Sequence, residues 1–285
     1  MCYNNLINKD DSQPQLRRNG EKMKSILITG AAGGMGRATA ALLAERGYRV
    51  FSLDRKETES TDGIISVVAD VTDPESVREA YEKISDMTES LYAVIHFAGI
   101  YLLDSLIEVS EEEFNRAFRI NLGGAYLVNK VFLPLIERGG RILITTSELA
   151  NLDPLPFTGI YAVTKAALDK YAYSLAMELQ LLDISVSVLR AGAVTTDMLG
   201  VSTDALDRFC KETELYSCNA RRFKDIVNRV EARSVRAEKI ALRAAKIIGS
   251  PRPRFAYSVN RNPLLVLLSI LPKRLQLRII KWILS

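Results

Sequence analysis

Histidine and cysteine are scarce in this chain. One histidine, His96, and three cysteines, Cys2, Cys210 and Cys218, occur in 285 residues. That leaves no Cys/His zinc site and no mechanism needing two histidines. No metal site is expected. The cysteines show no paired spacing, and residues 1–22 (MCYNNLINKDDSQPQLRRNGEK) lack the apolar core of a secretory signal. A reducing cytoplasm is the expected compartment. No run of about 18 uncharged apolar residues occurs, so a simple transmembrane span is not expected. Repeats and low-complexity linkers are also missing. What is present is 48% hydrophobic and 25% charged, enough to bury a large core and unlike a disordered or collagenous chain.

The net charge of +4 conceals an asymmetry: residues 203–285 hold 18 Lys/Arg against 7 Asp/Glu. A basic C-terminal third suits an anionic ligand, an acidic membrane surface or nucleic acid, and equally a solvated basic surface. The basic residues are spread through helical stretches and no recognition motif accompanies them, so nucleic acid is not expected as a partner.

From Ser25 the chain alternates short β-rich runs with longer helical patterns. Strands are predicted at Ser25–Thr29, Arg49–Leu53, Ile64–Val68, Tyr92–His96, Arg141–Thr145, Ile184–Leu189 and Phe255–Val259, and helices at Met35–Arg46, Pro74–Ser85 and Ile160–Leu182. Most of the strands are continuous apolar runs, as parallel strands buried on both faces should be. The alternation predicts an α/β fold, a doubly wound parallel seven-stranded sheet. One domain is expected over residues 23–261, after a flexible tail over 1–22; Met23 is a candidate start. Residues 200–232 form a polar insertion read as a helical substrate lid. Residues 262–285 form an apolar and basic C-terminal extension.

The first strand runs into Gly30-Ala31-Ala32-Gly33-Gly34-Met35-Gly36 and then a helix. Glycines let the backbone turn tightly and approach a pyrophosphate, and the helix N–H groups then face the anion. A Gly-rich loop carries weight here because it follows a strand and opens a helix. Asp54 ends the second strand, 18 residues after Gly36. A carboxylate there suits the ribose hydroxyls of NAD and repels a 2′-phosphate. Arg55 beside it leaves NADP(H) open, although NAD(H) is favoured. Asp70-Val71 follows the third strand in a place suited to adenine. After the fourth strand, His96-Phe97-Ala98-Gly99 offers small residues under which a cofactor can pass, with His96 read as a packed residue rather than a catalyst.

Tyr161 and Lys165 stand at i and i+4 on one helix face. An ammonium near a phenol is expected to lower its pKa from about 10 and so make a usable general acid/base. Ser147, at the end of the fifth strand, precedes this helix.

These residues together resemble the classical short-chain dehydrogenases/reductases. Thr29-Gly30-Ala-Ala-Gly-Gly34-Met-Gly36 is similar to the family's TGxxxGxG turn. Phe97-Ala98-Gly99 is similar to the end of its NNAG element, with His96 for the second Asn. Asn121, Ser147, Tyr161-x-x-x-Lys165 and Ala191-Gly192-Ala-Val-Thr-Thr196 fall on its Asn, Ser, YxxxK and PG…T positions, with Ala191 replacing Pro. The resemblance covers roughly residues 23–259. It implies a Rossmann-type fold and an oxidoreductase in which Tyr161 passes the proton. Lys165 would depress its pKa and bind the nicotinamide ribose, and Ser147 would hydrogen-bond the substrate oxygen. Asn121 would hold a relay water; Val194 and Thr196 would orient the carboxamide. The 14 residues from Ser147 to Tyr161 are one more than usual, and Thr145 or Thr146 could stand in for the serine.

Leu149, Leu152, Leu155, Pro156 and Phe157 are expected at the mouth of the site, with Met198, Leu199 and Val201 beginning the lid. Such a lining suits a hydrophobic secondary alcohol or ketone, such as a hydroxysteroid or other lipid. The alternatives are an NADPH-dependent 3-oxoacyl thioester reductase and, in another class, a non-catalytic cofactor-bound regulator. In the C-terminal extension Leu275, Ile279, Trp282 and Ile283 share a helix face, with Lys273, Arg274 and Lys281 largely elsewhere. That pattern fits peripheral membrane contact, packing over the site or a subunit contact. It also looks like extensions of family members acting on steroids and retinoids. By resemblance a homodimer or homotetramer is expected.

Overall fold

A computed structural model describes residues 23–195, 197–231 and 234–285. The expected tail over 1–22 and Thr196 lie outside the described residues. Seven parallel strands form one sheet: β1 (Ser25–Thr29), β2 (Arg49–Asp54), β3 (Ile64–Val68), β4 (Leu91–His96), β5 (Ile136–Ser147), β6 (Ser185–Ala191) and, after a short parallel pair β7 (Val194–Thr195) and β8 (Val235–Arg236), β9 (Ala256–Val259). Their order is β3-β2-β1-β4-β5-β6-β9. The chain therefore winds outward in one direction from β1 to β3, and in the other from β4. The crevice between the carboxyl ends of β1 and β4 is the switch point where such sheets bind ligands.

Helices cover both faces because the strands carry apolar side chains on both. Leu27, Val94, Ile142, Ile144, Val186 and Val188 face one core, with Val77 and Ile84 of α2 (Pro74–Ser85), Val128 and Phe132 of α4 (Gly124–Phe132) and Leu168 and Ala172 of α5 (Gly159–Leu179). Their strand neighbours Ile26, Ile28, Ala93, Ile95, Leu143 and Leu189 face the other, with Leu43 of α1 (Gly34–Glu45) and Ile240, Ala244 and Ile248 of α8 (Ala237–Ile248). This parity is the period-2 alternation of a strand with both faces covered. Between α2 and α4, α3 (Glu111–Phe118) leads into a π-turn over Arg119–Gly123.

The seven expected strands and three expected helices all form. The differences lie at their ends. β5 begins at Ile136, ahead of the expected Arg141, through a turn at Gly139 with φ +79° and a register shift opposite Leu91–Ala93. The helix expected to reach Leu182 finishes as α5 at Leu179, followed by a 3₁₀ turn. The polar segment after β6 folds into α6 (Asp197–Glu212) and α7 (Ser217–Glu231), and the C-terminal extension into α9 (Pro263–Ile270) and α10 (Lys273–Leu284).

Two polar links hold α5 where the site needs it. Arg190 of β6 makes a bidentate pair with Asp169, through Nε at 2.9 Å and Nη2 at 2.7 Å. His96, at the end of β4, places Nε2 2.9 Å from Asn129 Oδ1, and Asn129 Nδ2 donates to the Tyr171 hydroxyl at 3.2 Å. An amide oxygen only accepts, so Nε2 carries a proton. Burial lowers its pKa to about 4. His96 is a packed strand-end residue, in agreement with its sequence reading.

Between pH 6.5 and 4 the unfolded chain protonates His96 while the folded chain does not, so stability falls as pH drops through that window, by up to about 3 kcal/mol. His96→Asn is expected to flatten the dependence of the urea midpoint on pH between 7 and 4.5. An equal loss of midpoint in both proteins would remove His96 as its source.

Candidate active site

The turn after β1 is held by close backbone approach. Gly30 sits at φ +69°, and a Cβ on it would strike Phe97 and Ala98 of the chain leaving β4; a Cβ on Gly36 would overlap the Gly30 carbonyl. Only glycine fits either place. The N-cap of α1 is Gly33, so no side chain caps its first N–H groups. Those donors open onto a groove lined by Gly30, Gly34, Met35, Gly36, Asp54, Arg55, Asp70, Val71, Ala98 and Gly99, every one expected from the sequence. Lys56, Thr72, Arg116 and Ile120 also line it. Sequence reasoning passed over them, Arg116 and Ile120 because they arrive from α3 and the π-turn, far along the chain.

Asp54 does more than face the groove. Its Oδ2 accepts the Ala32 N–H at 3.1 Å and its Oδ1 the Lys56 N–H at 3.1 Å. It thus ties the glycine turn to the end of β2. Asp70 Oδ1 similarly accepts both the N–H and the hydroxyl of Thr72 at 2.8 Å.

The groove continues into an apolar pocket where Ser147, Tyr161, Lys165 and Val194 come together. The Ser147 oxygen accepts the Leu149 N–H at 3.2 Å, and Ser147 stands close enough to Tyr161 to pull the phenol pKa down against burial. Ser147 therefore partners the tyrosine itself. Thr146 is engaged with Asp169 at 3.2 Å and does not replace it. In the loop between Ser147 and Tyr161, just before α5, Phe157 adopts φ +65°. That conformation is uncommon for a bulky side chain and held only by its surroundings. Here the Phe157 carbonyl accepts the Asp104 N–H at 2.9 Å, and its ring stacks at 4.5 Å on Phe209 and 5.3 Å from Phe223.

The electrostatics correct one expectation. Lys165 was expected to draw the phenol below 10. Burial dominates instead: the Tyr161 phenol is pushed up to about 12, the Ser147 hydrogen bond opposing and the Glu148 charge adding to the rise. Burial also pushes Lys165 down to about 8. Its Nζ lies 5.7 Å from the Tyr161 ring centre and donates to the Thr145 carbonyl at 3.4 Å. Both groups are thus neutral or near neutrality's edge, as a desolvated pair should be.

Asn121 sits in the π-turn, a local distortion common at functional sites. Its Oδ1 accepts the Ile100 N–H at 2.7 Å, and its Nδ2 donates to the Ile100 carbonyl and the Thr164 hydroxyl, both at 3.0 Å. Both amide hydrogens are used, so the expected relay water cannot be held by that N–H₂. A side chain on Gly99 would lie 3.1 Å from Asn121 Oδ1 and 3.3 Å from Lys165 Nζ, which puts these residues at one point beneath the groove.

Leu149 and Leu155 line the pocket, as expected. Phe157 instead belongs to the aromatic cluster with α6 and α7, and Leu152 and Pro156 are not among the lining residues. The side chains of Met198, Leu199 and Val201 lie outside the described residues. The outer wall comes from Phe223, Ile226 and Val227 of α7 and Leu265 of α9. Tyr101, edge-on to Tyr161 with ring centres 4.9 Å apart, closes another side. None of these five carries a local sequence signal; only folding brings them in. No metal-ligand cluster occurs among the described residues.

The residues fit a dinucleotide. The uncapped N–H groups suit phosphates. The Thr145 hydroxyl is buried in the cleft without a hydrogen-bond partner, a group that a bound ligand would satisfy. A family model described as short chain dehydrogenase matches residues 24–207. Over 236 residues the chain is 28% identical to 3-ketodihydrosphingosine reductase of Bacteroides thetaiotaomicron, covering 82% of this chain and 87% of that protein. Over 203 residues it is 30% identical to estradiol 17-beta-dehydrogenase 2 of Mus musculus, covering 66% and 52%. A short chain dehydrogenase family protein from Francisella tularensis shares the fold at TM-score 0.71 and 18% identity, over 84% of this chain and 97% of that one.

Proposed function

The chain belongs to the short-chain dehydrogenase family, an oxidoreductase acting on CH–OH groups, and from that premise we propose that it interconverts a hydrophobic secondary alcohol and its ketone with NAD(H). The observation that carries this reading is the gathering of Ser147, Tyr161 and Lys165 in one largely apolar pocket that adjoins the glycine-lined groove.

A bound nicotinamide cofactor would supply or accept the hydride. The chain does the rest. The N–H groups of Gly34, Met35 and Gly36 would receive the diphosphate, Asp54 the ribose hydroxyls, and Asp70 and Val71 the adenine. Val194 would orient the carboxamide, a role the sequence reading also gives to Thr196. Ser147 hydrogen-bonds the substrate oxygen. Tyr161, protonated at neutral pH, donates its proton to that oxygen in reduction and takes it back in oxidation. Lys165 holds the nicotinamide ribose and, while charged, favours the phenolate left behind. Charge on Lys165 is lost as pH rises through about 8, so that support weakens above it. Asn121 anchors Ile100 to α5 and keeps Lys165 and Tyr161 in register; a relay water at this residue would need its main-chain carbonyl.

A hydrophobic lipid is supported as substrate by the wall of Leu149, Leu155, Phe223, Ile226, Val227 and Leu265. Two of the relatives are named for a ketodihydrosphingosine and for estradiol. In this reading α6 and α7 are the lid. A homo-oligomer through α4 and α5 is supported by the exposed Tyr126, Val163, Tyr173 and Met177. Free thiols at Cys210 and Cys218 suit the cytoplasm.

The C-terminal pair extends this to a membrane surface. No helix among the described residues is long and apolar enough to cross a membrane. The α10 helix packs through Ile280 and Leu284 with the buried Gln276, not through the stripe picked out from the sequence. Leu275, Trp282 and Ile283 of that stripe stay open, Trp282 at 82% exposure, and Leu264, Leu267 and Ile270 of α9 are open as well. Residues 263–285 contain Lys273, Arg274, Arg278 and Lys281 and no acidic residue. A second copy docked on this face would set those cations against themselves. An anionic lipid surface matches both the charge and the apolar side chains.

Three outcomes are expected. Tyr161→Phe should bind cofactor as the parent does and lose at least about 100-fold in turnover, read at the nicotinamide absorbance; near-parental turnover would overturn the assigned chemistry. Asp54→Asn should shift the NAD(H)/NADP(H) ratio of kcat/KM toward NADP(H) by about tenfold or more, and an unchanged ratio would remove Asp54 from cofactor choice. Trp282 is the chain's one tryptophan, so its emission should shift to the blue on phosphatidylglycerol vesicles and return with added salt. Emission unmoved by those vesicles would exclude the membrane reading.

A further inference from the structure

Glu148 is a buried carboxylate that the proton transfer does not use. It directly follows Ser147, is 8% exposed, and lines the same pocket as Ser147 and Tyr161. One oxygen is held by the main chain: Oε2 accepts the Asn262 N–H at 2.6 Å. Oε1 is on the side of Gly192, where only a glycine leaves it room. Glu148 and Tyr161 line the same pocket, so one small molecule can meet both groups.

A carboxylate is an expensive way to hold one backbone N–H. An amide oxygen would do so without burying charge. Burial does push the Glu148 carboxyl above its usual range, against the pull of Asn262 and Arg261. Beside Leu149, Leu155, Phe223, Ile226, Val227 and Leu265 of the same pocket, this is the pattern of a binding site: few polar groups, placed to orient a ligand. The carbonyl oxygen of a substrate is already assigned to Ser147 and Tyr161. What Glu148 offers is an acceptor for a hydrogen-bond donor beside that carbonyl.

We propose that Glu148 is a specificity residue, which receives an ammonium or hydroxyl group carried on the carbon next to the reacting carbonyl. The preferred substrates are then hydrophobic α-amino or α-hydroxy ketones, or the corresponding vicinal amino alcohols and diols. This rests on the carbonyl chemistry proposed above and narrows its substrate class. The close seat of Asn262 adds a consequence: the start of α9 holds the carboxylate in place, so the C-terminal extension helps shape the polar end of the pocket.

The test uses the full chain with saturating cofactor and three ketones of equal chain length: unsubstituted, α-hydroxy and α-amino. The parent is expected to favour a substituted ketone over the plain one by about tenfold or more in kcat/KM, mainly through KM. Glu148→Gln keeps an acceptor for the Asn262 N–H and is expected to bring that preference to within about twofold. Preference for the α-amino ketone identifies the ammonium as the recognised group, and preference for the α-hydroxy ketone the hydroxyl. No preference in the parent, or an equal fall on all three ketones in Glu148→Gln, would overturn the proposal and leave Glu148 as an anchor for Asn262. The plain ketone keeps the two readings apart: its turnover by the parent upholds the carbonyl chemistry even where the preference is missing. Failure of all three ketones in the parent would overturn both.

Discussion

The contact between the glycine turn and the chain leaving β4 governs the geometry of the cleft. Gly30 packs its Cα against Phe97 and Ala98, and Gly36 packs against the Gly30 carbonyl, with no room for a side chain at either place. This brings the carboxyl ends of β1 and β4 together at the switch point and aims the first N–H groups of α1 into the groove. Asp54 then pins the same turn from the other side through the Ala32 N–H. A group read from sequence as a ligand for ribose is thus also a brace for the phosphate turn. The two roles are compatible because a carboxylate has several acceptor sites.

The legible part of the molecule is the part built from local patterns. Strands buried on both faces announce themselves as apolar runs, and the seven of them set the fold. The groove residues also follow, because each sits at a strand end or in the glycine turn, where chain position dictates place. The substrate wall was not legible in the same way. Phe223, Ile226, Val227 and Leu265 are ordinary apolar positions on amphipathic helices, and nothing local separates a residue facing a pocket from one facing a core. Tyr101 and Arg116 were missed for the same reason. Phe157 was misplaced because its left-handed backbone turns the ring into the α6–α7 cluster, a choice made by tertiary packing.

Burial accounts for the largest electrostatic departure. A lysine four residues after a tyrosine suggests a lowered phenol pKa when charge alone is weighed. Both groups are buried, however, and desolvation acts on each in the direction of its neutral form. The phenol holds its proton firmly, and the lysine is close to giving one up. Such a pair is poised to donate a proton to a bound ketone. It needs added stabilisation of the phenolate before it can accept one. The Ser147 hydrogen bond works in that direction and the Glu148 charge against it.

The C-terminal extension belongs to this same network. Asn262 donates its N–H to Glu148 and caps α9 through the Leu264 N–H at 2.9 Å. Leu265 enters the pocket wall, while Ser269 accepts the Asp153 N–H at 2.9 Å. Lys273 and Gln276 hold the Asp153 carboxylate, and Asn219 of α7 donates to the Leu284 carbonyl at 2.7 Å. The extension is therefore fastened on two sides, to the loop before α5 and to α7. Its inner surface reaches the polar end of the pocket, and its outer surface carries the open apolar and basic residues.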